Sequence, residues 1–88
     1  MGKPKQLMAK LTRILSERFK DAEVKLERSG PTKVGGFLIW KKFVGVEQIK
    51  RQERLWKVLE KKLTKDEQLQ ITVILTATPE EMTVVIGN

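Results

Sequence analysis

A long stretch of helical periodicity, Val46 to Leu63, lies between two strand-like runs, and this placement constrains the fold more than any other feature of the chain. Before it come Phe37-Leu38-Ile39-Trp40 and Lys41-Lys42-Phe43; after it, Leu69, Ile71, Val73, Leu75 and Ala77 alternate with Gln70, Thr72, Ile74, Thr76 and Thr78. A helix of this length crosses a sheet, so the strands on either side of it are expected to run parallel, joined by a right-handed crossover. Within the helical stretch Ile49, Trp56, Leu59 and Leu63 form an apolar stripe with Leu55 at its margin. At about 100° per residue, Lys50, Arg54, Lys57 and Lys61 cluster on the far side, within about 60° of one another. Gly45 punctuates the connection before the helix, which is expected to end near Lys62 to Lys65.

The flanking segments complete an α+β chain. Pro4 suits a first helical position, and Leu7, Met8, Leu11, Ile14, Leu15 and Phe19 recur at helical spacing, predicting a helix from about Pro4 to Lys20. Arg18 falls within that stripe, where its stem can lie along apolar surface. Ala22, Val24 and Leu26 alternate with Glu23, Lys25 and Glu27 as in a half-buried strand. Ser29-Gly30-Pro31-Thr32 is a turn. The run Phe37 to Trp40 is apolar on both faces, which suits a central strand. Gly35-Gly36 before it reads as a flexible turn, with a bulge or a close backbone approach as the alternative. Thr78-Pro79-Glu80-Glu81 looks like a helix start capped by Thr78. The apolar tail from Val84 onward is read as a frayed end or a short strand docked on a partner. The expected architecture is αββαβ(α), a three-stranded mixed sheet with helices packed on one face. The whole of 1–88 is read as one domain with short flexible ends at about 1–4 and 83–88.

Composition narrows the function. The chain has no cysteine and no histidine, which removes disulfides, thiol nucleophiles, His-based triads and His- or Cys-based metal sites. The adjacent carboxylates have plain explanations: solvation for Asp66-Glu67 in a polar connection, and a helix first turn for Glu80-Glu81. No catalytic residue, metal or cofactor is expected. No apolar run has the ~20 residues of a membrane span, and the lack of a leader-like start and of cysteine fits a cytoplasmic protein. The net charge of +7 is unevenly placed: residues 33–65 hold ten basic residues against Glu47, Glu53 and Glu60, while residues 66–88 hold only acidic ones. Such a segment attracts phosphate backbones, anionic membranes or acidic proteins. A membrane surface fits least well, because the core needs the face that carries Trp56 and Leu59.

The order of elements, read with particular residues, resembles the BolA family. The residues that carry the likeness are Phe43-Val44-Gly45, Ile49-Lys50-Arg51, Leu55 and Leu59, then Gln70-Ile71-Thr72-Val73 and Thr78-Pro79-Glu80-Glu81, with Arg18-Phe19 and Val24-Lys25-Leu26 upstream. The resemblance spans roughly residues 7 to 82. It implies a BolA-like fold close to a type II KH domain, and nucleic-acid binding. The family's helix histidine aligns with Gln52 and the arginine after it with Glu53. In the family that histidine helps hold a [2Fe–2S] cluster shared with a monothiol glutaredoxin. Neither Gln52 nor Glu53 replaces an imidazole as an iron ligand, so the cluster role does not carry over. No Gly-x-x-Gly loop lies between helices, so a KH clamp is not implied.

These observations yield a non-enzymatic, BolA-like regulatory protein that binds DNA or RNA. Its expected surface is Lys41 and Lys42 before the Gly45 turn, the stripe Lys50, Arg54, Lys57 and Lys61, and Arg51, about a quarter-turn beyond the stripe, which would widen that face. The alternative is a protein–protein adaptor whose contact surface is the Gly45 turn, Gln52 and the apolar tail, with a monothiol glutaredoxin as one possible partner. Trp40 and Trp56 read as core, the alternative for Trp40 being a base-stacking platform. Gln52 reads as a partly buried amide holding a backbone group.

Overall fold

The apolar stripe of the first helix dictates how the sheet is covered. In the computed structural model, which describes residues 3–86 and the side chains of residues 4–83, helix α1 spans Lys3–Arg18. It buries Leu7, Leu11, Ile14 and Leu15, with Phe19 just beyond its end. Asp21 closes this end with φ 70°, a left-handed position more often given to glycine or asparagine. Strands β1 (Glu23–Arg28) and β2 (Val34–Ile39) pair antiparallel, from Glu23↔Ile39 to Arg28↔Val34. A 3₁₀ turn over Lys41–Phe43 leads into α2 (Gln48–Lys62). Then follow a short α3 (Lys65–Leu69), β3 (Ile71–Ala77) and α4 (Pro79–Ile86).

The sheet order is β1-β2-β3, with β2 central and β3 parallel to it. Both the central strand and the parallel crossover follow the sequence expectation. Gly35 and Gly36 do not form a turn; they lie inside β2, where the backbones come too close for a side chain. A Cβ on Gly36 would sit 1.9 Å from the Lys25 carbonyl oxygen, and one on Gly35 would meet Thr72 Oγ1 at 2.8 Å. The β2–β3 register also shifts between Val34 and Gly36, so the close approach sits beside a bulge.

Period-two alternation gives the sheet two unlike faces. Val34, Leu38 and Trp40 join Leu55, Val58 and Leu59 of α2 and the α1 stripe in one core. Phe37 and Ile39 point the other way, to Ala77 and to Met82 of α4 in a second, smaller cluster. The two long helices thus share one face, and α4 covers part of the other. The backbone of α4 runs as helix to Ile86, so the tail up to that residue is not the short strand considered above. Its side chains from Val84 on, and residues 1–2 and 87–88, lie outside the described part.

The buried arc of α2 is rotated from the sequence expectation. Its buried residues are Arg51, Leu55, Val58 and Leu59, while Ile49 is 66% exposed and Trp56 only borders the core. The arc centres between Arg51 and Leu55, about 100° from the expected stripe. Hydropathy alone misplaces it, because an arginine takes a core-facing position.

Candidate nucleic-acid interface

Arg51 takes that position because three groups meet its guanidinium. Nε donates to the Val46 carbonyl at 2.7 Å, and the two terminal nitrogens donate to Glu81 at 2.7 and 3.2 Å. The Phe43 ring centroid lies 5.6 Å away, within cation–π range. Glu81 in turn accepts from the Thr78 backbone N–H, while its own N–H donates to Thr78 Oγ1. That is a reciprocal capping box at the start of α4, where the sequence placed Thr78 as cap. The Arg51 hydrogen bonds, then the Thr78 N–H, hold the Glu81 carboxyl below its ordinary range. Arg51, 5% exposed, is therefore a strut between α2, the Gly45 turn and α4. Its assignment to the nucleic-acid surface is corrected: the side chain is buried, with three of its five N–H groups held by Val46 O and Glu81.

Gln52 also turns inward. Trp40 N–H donates to the Ala77 carbonyl, so alternation sends the Ile74 and Thr76 carbonyls to the open side of the edge strand β3. Gln52 Nε2 donates to Ile74 O at 3.0 Å and to Thr76 Oγ1 at 3.2 Å, and Gln48 Nε2 donates to Thr76 O at 3.0 Å. The Thr76 hydroxyl closes the set by donating to Gln48 Oε1 at 2.8 Å. Two amides of α2 thus cover the exposed edge of the sheet. This is the backbone-holding role read from the sequence, and it turns the Gln52 amide away from a partner surface. It also fails as a cluster site. The amide nitrogen is engaged by oxygen acceptors, the chain has no histidine or cysteine, and no group of three potential metal ligands occurs among the described residues. The residues do not fit a [2Fe–2S] cluster.

The remaining cations gather elsewhere. A groove of about 530 Å³ runs between the end of α1 and the middle of α2. Its floor is Ile14, Phe19, Trp40 and Val58; its rim is Glu17 and Arg18 on one bank and Arg54, Lys57, Lys61 and Lys62 on the other. Three of the four stripe residues line it. Lys50, one turn before Arg54, lies outside it on the same exposed face. Arg18 was missed, since only the packing of α1 against α2 brings it to the stripe, and Lys62 was missed because it lies about 80° beyond the stripe at the end of α2.

Trp40 anchors the floor. It is 7% exposed, its indole N–H donates to Lys20 O at 2.8 Å, and Phe19 and Phe43 meet it edge-to-face at 5.1 and 5.2 Å. It is core, as the strand pattern indicated. Lys42 Nζ lies 5.7 Å and Arg54 Cζ 5.5 Å from its ring centroid; Arg54 lines the groove, and Lys42 touches this floor residue without lining the groove. Lys41 is exposed on the same 3₁₀ turn.

At the other end of α2 the 3₁₀ turn is followed by Gly45, whose φ of 79° favours glycine. Val44 and Ile49 flank it, 64% and 66% exposed. Below the core, Thr64 and Glu67 form a second capping box, and Glu67 accepts from Lys10 Nζ at 2.9 and 3.0 Å. Asp66-Glu67 is therefore no mere solvated connection: Glu67 both starts α3 and ties it to α1.

These features define an α+β fold with a mixed three-stranded sheet, no histidine or cysteine, and a cationic groove between its long helices. The fold is BolA-like. The structure is similar to that of BolA1 from Arabidopsis thaliana, with a TM-score of 0.64 and 17% sequence identity over 85% of this chain and 94% of that one. No protein-family model matches the sequence, and no curated protein matches it.

Proposed function

We propose that this BolA-like chain is a non-enzymatic regulatory protein that binds nucleic acid through the cationic groove and the turn beside it. The observation that supports it is the meeting of Arg18, Arg54, Lys57, Lys61 and Lys62 around one recess with a single carboxylate, Glu17, among them. Lys42, Lys41 and Lys50 extend the field along the same side. Phosphate contacts from such side chains supply affinity and little sequence preference. The test is amide NMR mapping during titration with a short oligonucleotide. Shifts concentrated at Arg18, Arg54, Lys57 and Lys61 support the reading; an undisturbed groove refutes it.

A second reading is favoured by Val44 and Ile49. Two exposed apolar side chains on either side of Gly45 suit a protein contact, and under this reading the chain is an adaptor that docks there, without a cluster, on a partner such as a monothiol glutaredoxin. Binding of such a partner that survives high salt and is lost in Val44→Asp/Ile49→Asp would favour it over the groove.

A further inference from the structure

The shape of the groove narrows the ligand, and this step rests on the nucleic-acid reading above. We propose that the groove accepts a single strand rather than a duplex, with a base set against the Arg54–Trp40 face. A duplex keeps its bases stacked inside and offers a recessed site only sugar and phosphate. Here the cations form banks around a floor of Phe19, Trp40, Ile14 and Val58 that belongs to the core, and the Arg54 guanidinium, which covers the Trp40 ring, is a flat surface that phosphates alone leave unused. A single strand offers both a backbone for the banks and an open base face for the Arg54 guanidinium. Arg54 occupies the junction: it is exposed, and its guanidinium lies over the Trp40 ring at 5.5 Å. Guanidinium planes stack bases as aromatic rings do.

Electrostatics sharpens the test, because a site that sees only charge favours the duplex, with its higher charge density. Labelled single-stranded and duplex DNA of the same 12-nucleotide sequence would be titrated at equal salt, with Arg54→Lys beside the wild type. Arg54→Lys keeps the charge and removes the plane. The expected result is single-strand binding tighter than duplex by at least about fivefold, the low end of one base–aromatic stack. Arg54→Lys should erase most of that ratio and leave the salt dependence of binding unchanged. Duplex bound as tightly as single strand, or more so, overturns this inference while leaving the groove as a nucleic-acid site. A preference that persists in Arg54→Lys overturns the placement of the base. Salt-dependent binding of neither DNA overturns the nucleic-acid reading itself.

Discussion

Arg51 and Glu81, thirty residues apart in sequence, join α2 to α4 through a bidentate pair of 2.7 and 3.2 Å, and the arginine is buried while the glutamate stays about half exposed. The asymmetry decides which substitution costs more than its own contacts. Glu81→Ala strands a buried guanidinium and removes the capping box of α4. With one partner half exposed, the loss falls below that of a fully buried pair, at about 1–3 kcal/mol. Urea unfolding should show a lower midpoint with unchanged slope. Arg51→Lys should lose nearly as much, because an ammonium cannot hold both carboxylate oxygens and Val46 O in one plane.

The same pair makes stability pH-dependent. Arg51 and the Thr78 N–H hold Glu81 below the ordinary value of 4.5. The Thr64 N–H and Lys10 do the same for Glu67. In each case the unfolded chain takes up the proton first. The stabilisation is therefore fully present above about pH 4.5 and is lost as pH falls through the folded values. Thermal melts from pH 7 to 3 should decline below that point, and Glu67→Gln/Glu81→Gln should flatten the decline.

Gly36 is a steric requirement. Gly36→Ala drives a methyl group into the Lys25 carbonyl, and β1 must move. The expected cost is about 3 kcal/mol, the upper end for overpacking. Gly45→Ala meets open space and bears only the left-handed backbone penalty of about 1–2 kcal/mol. Denaturation midpoints of the two variants should separate in that order; equal losses would contradict the close-approach account.

The edge cover of β3 rests on Gln48 and Gln52. Gln52→Leu keeps most of the volume and leaves Ile74 O without its donor, at a cost of about 1–3 kcal/mol. Because the uncovered edge can pair with another chain, light scattering on heating should rise earlier than in the wild type. A variant as stable and as soluble as the parent would contradict the clamp.

Much of this architecture was legible in the sequence where one periodicity dominated. The α1 stripe and the Thr78 cap declared themselves, and the long helix between two strands implied parallel pairing. The segment β3 was legible as a strand, but its alternation marked the wrong residues as inward, since Ile74 and Thr76 are buried while Leu69, in α3, and Val73 and Leu75 are exposed. What stayed hidden depends on partners distant in sequence. Nothing near Arg51 marks it as buried, since its carboxylate lies at Glu81 and its carbonyl in the turn. Gly35-Gly36 looks like a turn until Lys25 O is seen against it. The stripe Lys50, Arg54, Lys57 and Lys61 was visible from spacing, but the groove was not, because Arg18 and Glu17 reach it from α1. The short α3 escaped notice because its capping box hides in a polar stretch, Thr64-Lys65-Asp66-Glu67.

The central claim is that the groove cations contact phosphate, and its most direct test is the slope of log affinity against log salt. Fluorescence anisotropy with a labelled single-stranded oligonucleotide would be measured for the wild type and for Arg54→Ala/Lys57→Ala/Lys61→Ala. The account expects a wild-type slope of about −3.5, near −0.7 for each of the groove's cations that meets a phosphate on a single strand, and a variant that binds more weakly with a slope shallower by about 2. A wild type that fails to bind at low salt, or a variant with unchanged affinity and slope, would contradict it.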